Sequence, residues 1–519
     1  MPAGLAQVSQ GTGVTGMMGD QDLDGDSFSA NRVLLPPATA SGRAGSGPLH
    51  VLLSWLSRFD AGRFVAAELM VLVAATACFA RVQSDTYWHL AAGRAMSQSG
   101  RVMLTDEFSH TIYGAPWANY EWLSQVVFYR VYSDGGMPLL TAMCALLLFG
   151  SCVLTWKLIR GSIEDRVLLL ALTLPLLAPG WSLRPQAFTV FLMVAVIHLV
   201  LRERFWVLPP LFFLWANLHA AVALGLVVLV ADLIATVVSK RSCTRRVGFG
   251  VLSFGATLLT PLGLSLWPEV WRSVNRSQVN RISEWMPPVF APRYALFWLM
   301  ASALLWLAAT RWRRLERRED RTVVVMSVLM LMLAVRASRN IVPFGLVVAP
   351  AISRLLWGHD VHRRQTPAAR SQLGAILRAS FFTVSLVAAG LVARRQWTMA
   401  PPPANWAPVS REAASAIRQC PGPIYNHYDV GGFIIWFVPE QKVFLDSRQD
   451  PYPAQLIRAQ REAVGSAAFR ELLDRYHIRC AVLVPGSPEV LALRGIGWTE
   501  SYRDSQWAVM TPSTESRRH

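Results

Sequence analysis

Four carboxylates sit in one short polar segment: Asp85, Asp106, Glu107 and Glu121, with His89 and His110 interleaved and Trp88, Trp117, Tyr120 and Trp122 around them. A carboxylate can take a proton from an acceptor hydroxyl or hold a divalent cation. The indole and phenol rings can stack on sugar faces, although they also anchor chains at membrane interfaces. Asp85, five residues past an apolar run at 64–80, is the first candidate for a catalytic base and Asp106 the second. His89 and Glu121 are candidates for substrate binding. The competing reading is that these acids are solvated or cap helices, as Asp106 with Ser109 and Glu121 ahead of an amphipathic stretch could do.

Elements must hold this segment. The chain has 519 residues, 53% of them hydrophobic and 16% charged, well under the roughly 25% charged of soluble domains. A spanning helix needs about 20 mostly apolar residues. Eleven stretches qualify or come close: 64–80, 137–156, 166–180, 185–201, 205–217, 219–238, 248–264, 295–310, 322–337, 340–357 and 376–393. The pair 205–217 and 219–238 reads either as one broken helix or as a hairpin. Residues 1–60 are rich in Gly, Ser, Ala and Asp and read as a disordered cytoplasmic leader. The spans with the outer loop 81–136 make up a membrane domain over 61–393. Beyond it, residues 394–519 alternate strand and helix signals and predict a small extracytoplasmic α/β domain, with strands at 424–426, 442–446, 479–484 and 507–510.

Net charge is +17, carried by arginine: three lysines, Lys157, Lys240 and Lys442, stand against 47 arginines. Eighteen basic residues crowd five short loops that lie on one side if the amino terminus is cytoplasmic. That asymmetry predicts an α-helical polytopic membrane protein of about eleven transmembrane helices, N-in and C-out. The basic balance is then a topology signal, which argues against nucleic acid. No Walker-type loop is present, so a cytoplasmic ATP site is not expected. No Cys-x-x-Cys occurs, and Cys420 and Cys480 are free to pair if the tail is exported.

At the outer ends of the spans lie Leu183-Arg184-Pro185-Gln186, Trp215-Ala216-Asn217-Leu218-His219 and Arg336-Ala337-Ser338-Arg339-Asn340. Arginine can hold a lipid phosphate through paired hydrogen bonds, or it can simply snorkel at a helix end. Arg184, Asn217, His219, Arg339 and Asn340 join the candidate substrate-binding residues. Arg448, in Asp446-Ser447-Arg448 of the tail, is another.

These segments, together with Asp85-Thr86-Tyr87-Trp88-His89, Asp106-Glu107-Phe108-Ser109 and Gly431-Gly432, resemble a family of uncharacterised bacterial polytopic proteins over about residues 64–485. That family is similar to the GT-C glycosyltransferases. The resemblance implies an N-in bundle of about eleven to thirteen helices, an acidic residue in the first outer loop, an outward carboxy-terminal domain and a polyprenyl-phosphate-linked sugar donor, with the bacterial plasma membrane as location. The Trp-Trp-Asp motif of the oligosaccharyltransferases is absent from the tail. The expected activity is transfer of a sugar from the lipid carrier to an acceptor on the outer face. The alternatives are a transporter or flippase for a lipid-linked or polar substrate, and a non-catalytic scaffold for envelope assembly.

Overall fold

The computed structural model describes residues 61–78, 82–358 and 408–513, with a few positions between 380 and 387. The expected leader and the run 376–393 fall wholly or almost wholly outside them.

Helix α1 (Ala61–Cys78) precedes α2 (Ser84–Ser99), which carries the Asp85 segment. Gln83 and Thr86 close a reciprocal capping box at the start of α2, so Asp85 stands in its first turn. There a carboxylate also meets the positive end of the helix dipole. Helix α3 (Trp122–Leu158) combines the amphipathic piece and the span after it. It breaks at Gly135 and Gly136, where Gly136 takes φ 65° and Pro138 follows. Helices α4 (Ile163–Leu177), α5 (Gln186–Leu201), α6 (Leu208–Leu218), α7 (Ala223–Val238), α8 (Thr244–Ala256), α9 (Leu266–Val279), α10 (Ala295–Arg311), α11 (Arg318–Arg336) and α12 (Ile341–Trp357) complete the bundle. Every side chain from Ile341 to Leu355 is buried; a helix apolar on all sides belongs at the centre.

Among the described residues, four helical segments are long and apolar enough to cross a membrane: Trp122–Leu158, Ala220–Val238, Pro292–Arg314 and Ser338–Trp357. The other predicted spans within the described residues also fall on helices, and the run 248–264 is helical only to Ala256. The pair 205–217 and 219–238 is a hairpin that turns at His219, whose backbone is extended. Both of its legs return to the basic end of the bundle, where Glu203 pairs with Arg246 and Arg318. Asp232 pairs with Arg318 and Arg246 there, and Asp320 with Arg160 and Arg354. Among the described residues, Glu203, Asp232 and Asp320 thus gather basic side chains at one end of the bundle.

The opposite end carries the tail. Helix α13 (Arg411–Arg418), β1 (Ile424–Asn426), α14 (Gly431–Phe437), α15 (Ala454–Ala463), α16 (Ala467–Arg475), β2 (Cys480–Leu483), α17 (Pro488–Gly495), β3 (Trp498–Arg503) and β4 (Ala508–Pro512) build an α/β unit. Its sheet runs β1-β2-β4-β3, with β1 parallel to β2 and the other pairs antiparallel. A Cys420–Cys480 disulfide ties the end of α13 to β2. The strand expected at 442–446 is not part of the sheet: Val443 makes one isolated bridge to Ser109 instead. Its burial follows from packing against the first polar loop, since Trp88, Trp117, Ile434, Val443 and Trp507 share one core. The tail and the α2–α3 loop are therefore one packed unit. The close approach needs Gly432, where an added Cβ would lie 2.1 Å from the Ser84 carbonyl oxygen.

Candidate active site

A cavity of about 690 Å³ lies where the bundle meets the tail, within the size range of small-molecule sites. Asp85 lines it from the first turn of α2. Arg184, from the turn between α4 and α5, brings Nε to 3.1 Å from Asp85 Oδ2. Ser447 of the tail donates its hydroxyl proton to Asp85 Oδ1. Burial pushes the Asp85 carboxyl above the usual carboxylate range, against the opposing pull of Arg184 and Ser447. A second anionic point, Glu284, stands 3.4 Å from Arg339 and 4.0 Å from Arg184. The Arg339 guanidinium also lies 4.2 Å over the Trp285 ring.

Glu121 is held by histidines. Its Oε1 is 3.1 Å from His219 Nε2 and its Oε2 is 3.6 Å from His89 Nε2. The tautomer of His219 follows from its neighbours. Trp215 Nε1 donates to Thr189 Oγ1 at 2.9 Å, so the threonine hydroxyl directs its own proton to His219 Nδ1 at 2.8 Å. The backbone N–H of Ala221 points at the same nitrogen. Nδ1 is thus an acceptor, and Nε2 carries the proton toward Glu121. Burial alone would raise the Glu121 pKa, but His219, His89 and Arg184 bring it down to about 2. Burial drives His89 down to about 3, leaving it neutral with a buried Nδ1 that has no partner.

On the far wall, Asp450 accepts a hydrogen bond from Tyr120, whose hydroxyl is 3.1 Å from Ser273 of α9. Burial raises the Asp450 carboxyl to about 6; hydrogen bonds from Ser273 and Tyr120 oppose the rise and nearby Glu121 adds to it. Arg293 and Arg336 reach the cavity as well.

Of the residues singled out from sequence, Asp85, His89, Glu121, Arg184, His219, Arg339 and Asn340 line this one cavity. Of the other three, Asp106 and Asn217 lie off the cavity, and Arg448 borders it with its side chain sealed. Asp106 is fully buried, accepting from the Ser109 hydroxyl at 2.7 Å and from Arg448 Nη2 at 2.5 Å. The Arg448 side chain is equally sealed, bound also to Asp446 at 2.7 Å and lying over the Trp117 ring. Asn217 accepts from Trp122 Nε1 at 2.9 Å and donates to the Phe213 and Leu259 carbonyls, joining three segments away from the cavity. Sequence reasoning missed Ser447, Tyr120, Glu284 and Asp450 as site residues. Ser447 carried one signal, its position between the charged Asp446 and Arg448. Among the described residues, no group of three or more His, Cys, Asp or Glu side chains is arranged to hold a metal ion.

No protein-family model matches the sequence, and neither does any curated protein. Solved structures do match. The apo oligosaccharyltransferase of Archaeoglobus fulgidus aligns with a TM-score of 0.54 at 9% identity, over 81% of this chain and 69% of that one. The oligosaccharyltransferase AglB of the same organism, in complex with an inhibitory peptide and a dolichol-phosphate, gives 0.52 at 10% identity over 87% and 74%. Apo ArnT from Cupriavidus metallidurans gives 0.50 at 14% identity over 90% and 99%. The fold is that of the GT-C glycosyltransferases. At these identities the likeness is one of fold, and chemistry must come from the site. Asp85 stands just after the first described helix, and tail residues 447–450 border the cavity that it lines.

Proposed function

We propose that this chain is a membrane glycosyltransferase that moves a sugar from a polyprenyl-phosphate carrier to an acceptor on the outer face of a bacterial plasma membrane. One observation carries the reading: Asp85 and Arg184 meet in a cavity that also holds Arg339 and an apolar wall including Leu224, Val270, Leu333 and Ile341. The apolar wall suits a lipid chain. Arg184 and Arg339 suit the phosphate, with Arg336 and Arg293 at hand.

In this reading Asp85 takes the proton of the acceptor hydroxyl as its oxygen bonds to the anomeric carbon. The bond from that carbon to the phosphate oxygen breaks, and the lipid phosphate leaves with the electron pair. Preorganised guanidinium groups are worth most at that moment, because charge then builds on the leaving oxygen. His89, Glu121, His219 and Asn340 would contact the sugar or hold its neighbours. Asp106, Arg448 and Asn217 are assigned to holding the site together. The AglB structure with dolichol-phosphate supports the carrier class at the level of fold.

The test uses the full chain in nanodiscs, radiolabelled polyprenyl-phosphate sugars and membrane-extracted acceptors. Transfer by the wild type, lost in Asp85→Asn while insertion and yield persist, is the expected result. Full activity of Asp85→Asn removes the base. Translocation of the lipid-linked sugar across proteoliposomes with its phosphate–sugar bond intact would identify a flippase instead, and neither activity would leave a scaffold. Repeating transfer with a chelator reads whether a divalent cation is needed.

A further inference from the structure

The Asp446-Ser447-Arg448 tripeptide has a geometry that its outer members do not use for binding anything. Asp446 and Arg448 grip each other: the Arg448 backbone N–H and Nε donate to Asp446 Oδ1 at 3.0 and 2.8 Å, and Nη2 donates to Oδ2 at 2.7 Å. Tyr452 adds a donor to the same Oδ2 at 2.7 Å. Arg448 then crosses to Asp106 of the α2–α3 loop. With residues 446 and 448 fixed on the buried side, Ser447 is left facing α2. There Trp88 Nε1 donates to its Oγ at 3.2 Å. The indole can only donate, and its N–H also favours the charged form of Asp85 directly. With a lone pair so occupied, the hydroxyl directs its own proton to Asp85 Oδ1. The chain Trp88 → Ser447 → Asp85 thus has one direction, like the chain Trp215 → Thr189 → His219 → Glu121 on the other side of the cavity. Gly431 and Gly432 serve the same contact. The Gly432 N–H donates to Ser84 Oγ at 3.0 Å, next to Asp85, and an added Cβ at Gly431 would lie 2.5 Å from the Leu445 carbonyl oxygen.

We propose that Ser447 is a positioning residue for Asp85, handed across from the carboxy-terminal domain by the Asp446–Arg448 grip. The tail in this way completes the site of the bundle. Asp85 Oδ2 is taken by Arg184 and Oδ1 by Ser447, which fixes the carboxylate plane and leaves one lone pair on each oxygen for substrate. The role in transfer rests on the proposed function; the positioning itself does not.

The charged and titratable groups facing Asp85 are Arg184 and Glu284 from the bundle and Tyr428 from the tail. Ser447→Ala alters none of them. A hydrogen bond to the charged form favours that form, so its loss raises the pH at which Asp85 deprotonates by about one unit.

The experiment labels the full chain in nanodiscs with dicyclohexylcarbodiimide, which reacts with protonated carboxyls, over a pH series, and reads the Asp85 peptide by mass spectrometry. The midpoint should rise in Ser447→Ala, stay near wild type in Ser447→Thr, and rise by less in Trp88→Phe, which keeps the serine but frees its rotor. An unchanged midpoint in Ser447→Ala overturns the proposal. Should Ser447→Ala fail to fold, Trp88→Phe and Ser447→Thr decide, and equal midpoints in wild type and Trp88→Phe overturn the directed chain. In the transfer assay the acidic limb of the pH–rate profile should move with the labelling midpoint. If the wild type transfers nothing, the functional reading fails, while the labelling result still stands or falls by itself.

Discussion

Two aspartate–arginine pairs lie at the junction of bundle and tail, with opposite fates. Asp85 and Arg184 face a cavity, with side chains 16% and 22% exposed, whereas Asp106 and Arg448 are 0% exposed. The residue types are the same. What separates them is how many partners the fold supplies. Arg448 has Asp106, Asp446 and Tyr452 around it, and aromatic rings at Phe108 and Trp117. Its Nη1 is buried without a hydrogen-bond partner, and the whole side chain is closed off from the cavity. Asp85 has one arginine and one serine, and the open side of its carboxylate is the cavity. An ion pair sealed from solvent specifies a junction, while one open to a cavity can do chemistry.

Each prediction acts on one side of that comparison. Asp85→Asn keeps the shape of the cavity pair and removes its charge. Transfer should fall by roughly 10²–10⁴-fold, with unchanged yield and unfolding temperature, as read by radiolabelled transfer and thermal unfolding. Arg448→Ala acts on the sealed pair and strands the Asp106 and Asp446 carboxylates. A loss of about 3–5 kcal/mol of stability is expected, measured by chemical unfolding, and any loss of transfer should track the unfolded fraction. If Arg448→Ala instead leaves stability intact and abolishes transfer, the comparison is reversed. Arg339→Ala should weaken binding of undecaprenyl phosphate by about tenfold, measured in nanodiscs by native mass spectrometry, with little change in stability.

The smallest effect concerns Asp450. Its ordinary value is 3.8 and its folded value about 6, so folding takes up a proton between those limits. The contribution of this group to stability therefore falls as pH rises through that window. Asp450→Asn should lose less stability than the wild type between pH 4 and pH 7. His89 and Glu121 act in the opposite sense, because their folded values are depressed. The difference between wild type and variant, measured by thermal unfolding across pH, isolates Asp450.

Much of the fold was legible along the chain. The amphipathic stretch after Glu121 and the apolar run 137–156, on either side of Gly135-Gly136, form the bent helix Trp122–Leu158. Helical periodicity, capping residues and glycine breaks are local, so sequence carries them. The region 442–446 has the composition of a strand but only one bridge, because its partner is the α2–α3 loop rather than the sheet. Strand pairing is a long-range choice that composition does not encode.

The site divides along the same line. Sequence alone determined that Asp85 would follow the apolar run 64–80 and that arginines would gather at span ends. Those are matters of residue type and neighbourhood. Only the tertiary structure decided which aspartate is open and which is sealed, and that Ser447, 362 residues away in the chain, donates to Asp85. The reason is physical. A carboxylate's chemistry depends on what surrounds it within a few ångströms, and for Asp85 and Asp106 one such neighbour each, Ser447 and Arg448, comes from the far end of the chain.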